Sequence, residues 1–231
     1  MRHARSRIAA LAFALSIATF AAGVAIAARK FPEQPYDWSY VVVSALASRK
    51  HNPEGGRWFS AALGLSMLTL WPVVTYLRGE PTAATAPAAG ASSHASRWPI
   101  GALQVGVLCG VALGVERLVF VHFSDLLHKA HELLAVGVFA GLYTGVLGLY
   151  VQRVYHDRRA LAGPLMVATP LVAIGVTQLA LYLDQRDLGW VDHGWRAMGI
   201  PVWLSFAFWQ WLAVALLWVG LGHLLWSRRA A

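Results

Sequence analysis

The chain has 231 residues, of which 58% are hydrophobic and only 13% charged, with a mean hydropathy of +0.53. A water-soluble globule of this length exposes far more charge, so the composition excludes one and points to a single membrane domain. The formal net charge of +8 does not indicate nucleic acid, because the basic residues form short clusters flanking apolar runs and suit anionic headgroups. The 11 Trp fit the headgroup boundary, and the lone Cys109 excludes an intrachain disulfide.

The sequence predicts an all-α, polytopic bundle of about six transmembrane helices, since crossing a bilayer takes roughly 20 helical residues. The apolar runs are Ile8–Ala28, Trp58–Leu77, Trp98–Val121, Leu133–Val151, Leu161–Leu183 and Ile200–Trp226. They are apolar on every side, which excludes the alternating pattern of a transmembrane barrel. The first follows a basic start and holds Ala25-Ile26-Ala27, a sequence like a signal-peptidase site, yet its uncharged stretch is long for a signal core. It reads as a retained first helix.

The next segment runs Tyr36-Asp37-Trp38-Ser39-Tyr40 and continues through Ser44-Ala45-Leu46-Ala47-Ser48 to Asn52-Pro53 and Gly55. Val41–Leu46 is apolar but far too short to span, so it lies in the interface or dips into the bundle. Asn52-Pro53 with Gly55 ends it as a turn. An aromatic-acidic start, a short amphipathic stretch with Ser and Leu, an Asn-Pro turn and a Gly-rich span make Tyr36–Leu70 resemble uncharacterised bacterial six-helix membrane proteins akin to the Frag/DRAM/Sfk group. The resemblance implies a six-helix fold and a setting in membrane lipid or lipid-anchor biology. It brings no established chemistry. Ala45 stands where that pattern carries an acid or amide.

After the second span, residues 79–97 are low-complexity, rich in Ala, Pro, Thr and Ser, and read as a flexible linker. The third span then places Gly106, Gly110 and Gly114 on one face, and the fourth does the same with Gly137, Gly141 and Gly145. Lipid is as apolar as Leu, so close backbone approach along such ridges drives helix association, and the two spans are expected to pack as an antiparallel hairpin. Gly148, nearer the helix end, is expected to tolerate a larger side chain. Arg117 falls on the ridge side and is expected to face inward and pair with Asp184 or Glu132, whereas Glu116 points to the flank.

The following segment carries His122, Ser124, Asp125, His128, His131 and Glu132. Ser124 suits an N-cap, starting a helix near Asp125 that continues into the fourth span. His128, His131 and Glu132 then share one face at i, i+3 and i+4, a spacing that can hold a divalent metal such as zinc, with His122, Asp125 or His193 completing it. The last loop adds Asp184, Asp187, Asp192 and His193 among Gly and Trp, which suits an interfacial anchor. The aromatics of the sixth span, with Gln210 among them, read as lipid-facing and packing surface.

Segments on the side of the N-terminus hold 10 Lys/Arg and 2 acids, against 8 and 8 in the longer segments opposite. The positive-inside rule then places both termini in the cytoplasm and the polar loops outside, in a bacterial inner membrane. The leading functional expectation is binding of a lipid or amphiphile at the outer face, with Asp37, Ser44, Glu116, Arg117 and Asp184 as candidate ligand-binding residues. The alternatives are a metal-dependent membrane hydrolase built on His128, His131, Glu132, His122 and His193, and a structural or partner-binding subunit.

Overall fold

A computed structural model of the chain describes residues 2–33, 35–48, 50–78, 97–119, 130–156, 158–188 and 191–230. The described residues form helices α1 (Arg2–Arg29), α2 (Val43–Ala47), α3 (Gly56–Arg78), α4 (Trp98–Val119), α5 (Ala130–His156), α6 (Ala162–Asp184), α7 (Trp195–Met198) and α8 (Phe206–Ala230), with no strand among them. Six of these, all but α2 and α7, are long and apolar enough to cross a membrane. The protein is a multi-pass membrane protein. Its apolar faces confirm the inside-out logic, since Leu11, Leu65, Leu108, Val172 and Leu179 are exposed on the bundle's outer surface, where lipid replaces water.

Antiparallel α1, α3, α4 and α5 pack in sequence. α8 runs parallel to α5 and closes the ring against α1, while α6 lies against α8 and α5. Both chain termini lie at one end (the terminal end), and α2, α7 and the connections 30–55 and 185–205 lie at the other (the loop end). α8 begins at Phe206, later than the expected Ile200. Pro201 holds the chain extended ahead of a 3-10 turn over Val202–Leu204, and the Ser205 hydroxyl caps the Phe208 amide. The expected helix start at Ser124–Asp125 lies outside the described residues, as does most of the linker.

The glycine ridge of α5 packs on α4 throughout. A Cβ on Gly141 would lie 2.4 Å from the Gly106 nitrogen and 2.8 Å from the Ala102 carbonyl oxygen, and one on Gly145 would lie 2.7 Å from the Pro99 carbonyl oxygen. The ridge of α4 is shared differently from the expectation. Gly106 faces α5, but Gly110 meets Met67 and Gly114 meets Gly64 and the Ser60 carbonyl, all on α3. Successive ridge residues advance by 40° per four positions, so a straight helix turns its small face from one neighbour to the next. Gly148 is not a free end position, because a Cβ there would sit 2.4 Å from the Trp98 ring.

Polar contacts fix the remaining pairs. Ser16 on α1 and Ser66 on α3, both fully buried, exchange hydroxyl-to-carbonyl hydrogen bonds of 2.6 and 2.9 Å. Tyr143 and Tyr150 donate from α5 to the Ala213 and Gly220 carbonyls of α8, one pair two turns beyond the other.

Candidate functional site

The loop end is built around a segment that folds back into the bundle. α2 buries Val43, Leu46 and Ala47 against α1, α3 and α8, so the apolar stretch dips inward instead of lying on the interface. Its backbone would be costly there without partners. Gln210 Oε1 accepts from the Val43 amide at 2.9 Å, and the Trp211 indole N–H donates to the Val41 carbonyl at 3.1 Å. The Ser205 hydroxyl donates to the Ser39 carbonyl, and the Tyr40 hydroxyl to the Ile200 carbonyl. Tyr36 also donates to Val41, and burial pushes its phenol up to about 12.

Asn52 is the central tie. Fully buried, it donates to the carbonyls of Ala27 (2.9 Å) and Leu46 (3.3 Å) and accepts from the Gly55 amide at 3.0 Å, joining α1, α2 and α3. Gly55 must lack a side chain, since its Cβ would lie 2.5 Å from the Asn52 amide group. The sequence marks Asn52 only as a turn. Its buried role has no local signature. Gln210 had one, as a lone amide in an apolar span, but its aromatic neighbours suggested a packing surface instead.

Across from this segment, the last turn of α4 meets the first turn of α5. Arg117 Nε donates to His131 Nδ1 at 3.1 Å, and Glu116 Oε2 lies 3.5 Å from Arg117 Nε and 3.7 Å from His131 Nδ1. Glu116 therefore turns back towards Arg117 instead of pointing to the flank, and Arg117 takes Glu116 and His131 where Asp184 or Glu132 was expected. Glu116 Oε2 is buried and makes ion-pair approaches with no hydrogen bond of its own. Because His131 Nδ1 accepts the Arg117 hydrogen bond, the neutral imidazole carries its proton on Nε2.

Between the two walls opens a cavity of about 590 Å³. Arg117, His131, Lys50, His51, Ser44 and Ser48 give it polar walls, while Phe31, Pro32, Val41, Val42 and Ala45 give it an apolar side, with Glu33 and Tyr40 at its margin. Of the expected ligand-binding residues, Ser44 and Arg117 line this cavity and Glu116 braces Arg117 from behind. Asp37 and Asp184 do not line it. Asp37 Oδ1 accepts the Ser39 amide in a tight turn, and the buried Asp184 accepts the His193 amide at 2.9 Å, closing the last loop.

Of the expected metal ligands, His131 lines the cavity, Glu132 is exposed beside it, and His193 rests on Trp195 with ring centroids 4.7 Å apart. His122 and His128 lie outside the described residues. Among the described residues no three His, Cys, Asp or Glu converge as a metal group requires. A metal on His131 would have to use Nε2, since Arg117 occupies Nδ1. The chain matches no protein-family model, no curated protein and no solved structure.

Proposed function

We propose that this is a bacterial inner-membrane protein, with both termini cytoplasmic, that binds the polar head of a lipid or amphiphile in the cavity at its outer, loop end. The observation that supports the reading most is the cavity itself. It is lined both by cationic and hydroxyl groups (Arg117, Lys50, Ser44) and by apolar ones (Phe31, Pro32, Val41, Val42), the pairing that an amphiphile's head and first methylenes demand. Arg117 is pre-oriented by Glu116 and His131, so little side-chain entropy is lost when a headgroup binds. The resemblance of Tyr36–Leu70 to the Frag/DRAM/Sfk group agrees with a lipid setting, and family membership is part of the proposal. Six crossings put the termini on one side, and the Lys/Arg distribution favours the cytoplasm for it.

The test is native mass spectrometry of the protein extracted in mild detergent. The wild type should carry a co-purified amphiphile that Arg117→Gln and the cavity-filling Ser44→Trp both remove. Ser44 is exposed on α2, so the larger ring can enter the cavity without disturbing the core. Retention of the same adduct by both variants, with folding intact, would reject the cavity as the binding site. Reporter fusions at the two termini test the orientation separately.

A further inference from the structure

The basic start of α1, its apolar run and Ala25-Ile26-Ala27 have the layout of a secretory signal peptide, in which a signal peptidase reads small residues first and third before the scissile bond. The bond so marked is Ala27–Ala28, in the last turn of α1. In an extended chain, residues two apart point the same way, so both alanines can enter one peptidase cleft. In a helix they point about 160° apart. Accordingly Ala25 is exposed, whereas Ala27 is fully buried in a cluster with Phe31, Leu46 and Phe59. Cleavage therefore requires the last turn of α1 to unwind and Ala27 to leave the core.

Asn52 opposes that unwinding. The last four carbonyls of a helix lack partners within it. At the end of α1 the Lys30 amide donates to Ile26 and the Phe31 amide to Ala28, while the Asn52 side-chain amide takes the Ala27 carbonyl at 2.9 Å. That carbonyl is the one a peptidase must attack. The same NH2 group reaches the Leu46 carbonyl of α2, and Asn52 Oδ1 accepts from Gly55 at the start of α3. One turn back along α1, Gly23 packs so closely that a Cβ there would lie 2.3 Å from that of Ala62 on α3. We propose that residues 25–28 are a cryptic signal-peptidase site, masked by Asn52 once α1, α2 and α3 have packed, and that a chain whose α2 fails to dock loses α1. Hydrolysis adds water across the Ala27–Ala28 bond, leaving a carboxylate on Ala27 and an amine on Ala28. The masking is a property of the fold alone. Its role in the cell rests on the outward placement of the loop end proposed above, the side on which signal peptidase works.

The experiment adds purified signal peptidase to the full-length protein in mild detergent and follows the products by intact mass and N-terminal sequencing. Micelles leave both ends of the bundle open to the enzyme, so the outcome is independent of orientation, which the reporter fusions test. Asn52→Ala should be cut after Ala27 about tenfold faster than wild type, the change in open population for one net hydrogen bond. Gly55→Ala, whose Cβ would lie 2.5 Å from the Asn52 amide group, displaces the same side chain and should also be cut faster; it carries the test if Asn52→Ala does not fold. Adding Ala25→Leu to either variant should restore resistance, because the exposed Leu disturbs no packing and spoils the small-residue pattern. Gly141→Ala, which loosens α4 from α5, should be cut at the wild-type rate. Wild type cut as fast as the Asn52 and Gly55 variants, or folded variants left whole, would overturn the proposal. So would equally fast cutting of Gly141→Ala, since the mask would then be global stability and not Asn52.

Discussion

Replacing Gly141 by Ala adds a single methyl group, and the geometry says where it must go. The new carbon would sit 2.4 Å from the Gly106 nitrogen, 2.6 Å from its Cα and 2.8 Å from the Ala102 carbonyl oxygen. These are backbone atoms and cannot rotate aside. Carbon contacts settle near 3.5–4 Å, so α4 and α5 must part by about 1 Å, and a gap of that size forfeits a quarter to a half of each contact's dispersion energy. In hydrocarbon no hydrophobic gain offsets the loss. Overpacking of a tight core costs about 1–3 kcal/mol. A backbone clash belongs at the upper end, so Gly141→Ala should cost about 3 kcal/mol, near a hundredfold in the folded-to-unfolded ratio. The assay is reversible unfolding in mixed detergent and SDS micelles, followed by tryptophan fluorescence. Gly175→Ala is the control, because a Cβ there meets nothing within 4 Å; it should be neutral or stabilising by about 0.5–1 kcal/mol through helix propensity. If Gly141→Ala unfolds at the same SDS fraction as wild type, the close α4–α5 approach is refuted.

Asn52→Ala leaves the Ala27 and Leu46 carbonyls and the Gly55 amide unsatisfied and should cost about 2–4 kcal/mol in the same unfolding assay, at 1–3 kcal/mol for each buried group stranded without relief by water. A loss below 0.5 kcal/mol would remove Asn52 as the tie between α1, α2 and α3. The Ser16→Ala, Ser66→Ala double-mutant cycle should show a coupling of about 0.6–1.7 kcal/mol, and strict additivity would count against the reciprocal pair. Tyr36, whose phenol ionises more readily unfolded than folded, stabilises fully below pH 10 and loses that contribution as pH rises towards about 12. Tyr36→Phe should therefore flatten the fall in melting temperature over that window, and an identical slope in both proteins would contradict the buried setting. Should zinc bind, metal analysis would find it in wild type and not in a His128→Ala, His131→Ala double variant; equal content in both sinks the zinc site.

The spans were legible because twenty apolar residues in a row have one stable fate in a bilayer, and helix ends fell within a few residues of Arg, Trp and Asp markers. The α4–α5 contact was legible for a similar reason, since two triple glycine ridges have few uses other than close packing. Which helix each glycine faces was not legible. Gly110 and Gly114 turn to α3 through packing directions that no single helix encodes. In the site, Ser44, Arg117 and His131 were identifiable as polar groups near a membrane boundary, and they do share a cavity. Asp37 and Asp184 carried the same signal, yet local backbone amides occupy them. A carboxylate beside a turn is as readily a backbone cap as a ligand, and composition does not separate the two.

The depth of α2 also limits how the cavity can work. Its first amide is held by Gln210, the Val41 carbonyl two residues ahead of it by Trp211 and Tyr36, and its exit by Asn52. Moving α2 aside would strand these groups inside the bundle, at several kcal/mol for each one left without a partner. The α2 wall is therefore fixed, and among the described residues the exposed Glu33, Lys50 and His51 form the rim past which a ligand of the proposed site would enter. It follows that Gln210 controls the cavity without touching its contents. Gln210→Leu frees the Val43 amide and loosens the wall that carries Ser44. Binding should weaken in that variant while Arg117, Glu116 and His131 keep their arrangement across the cavity.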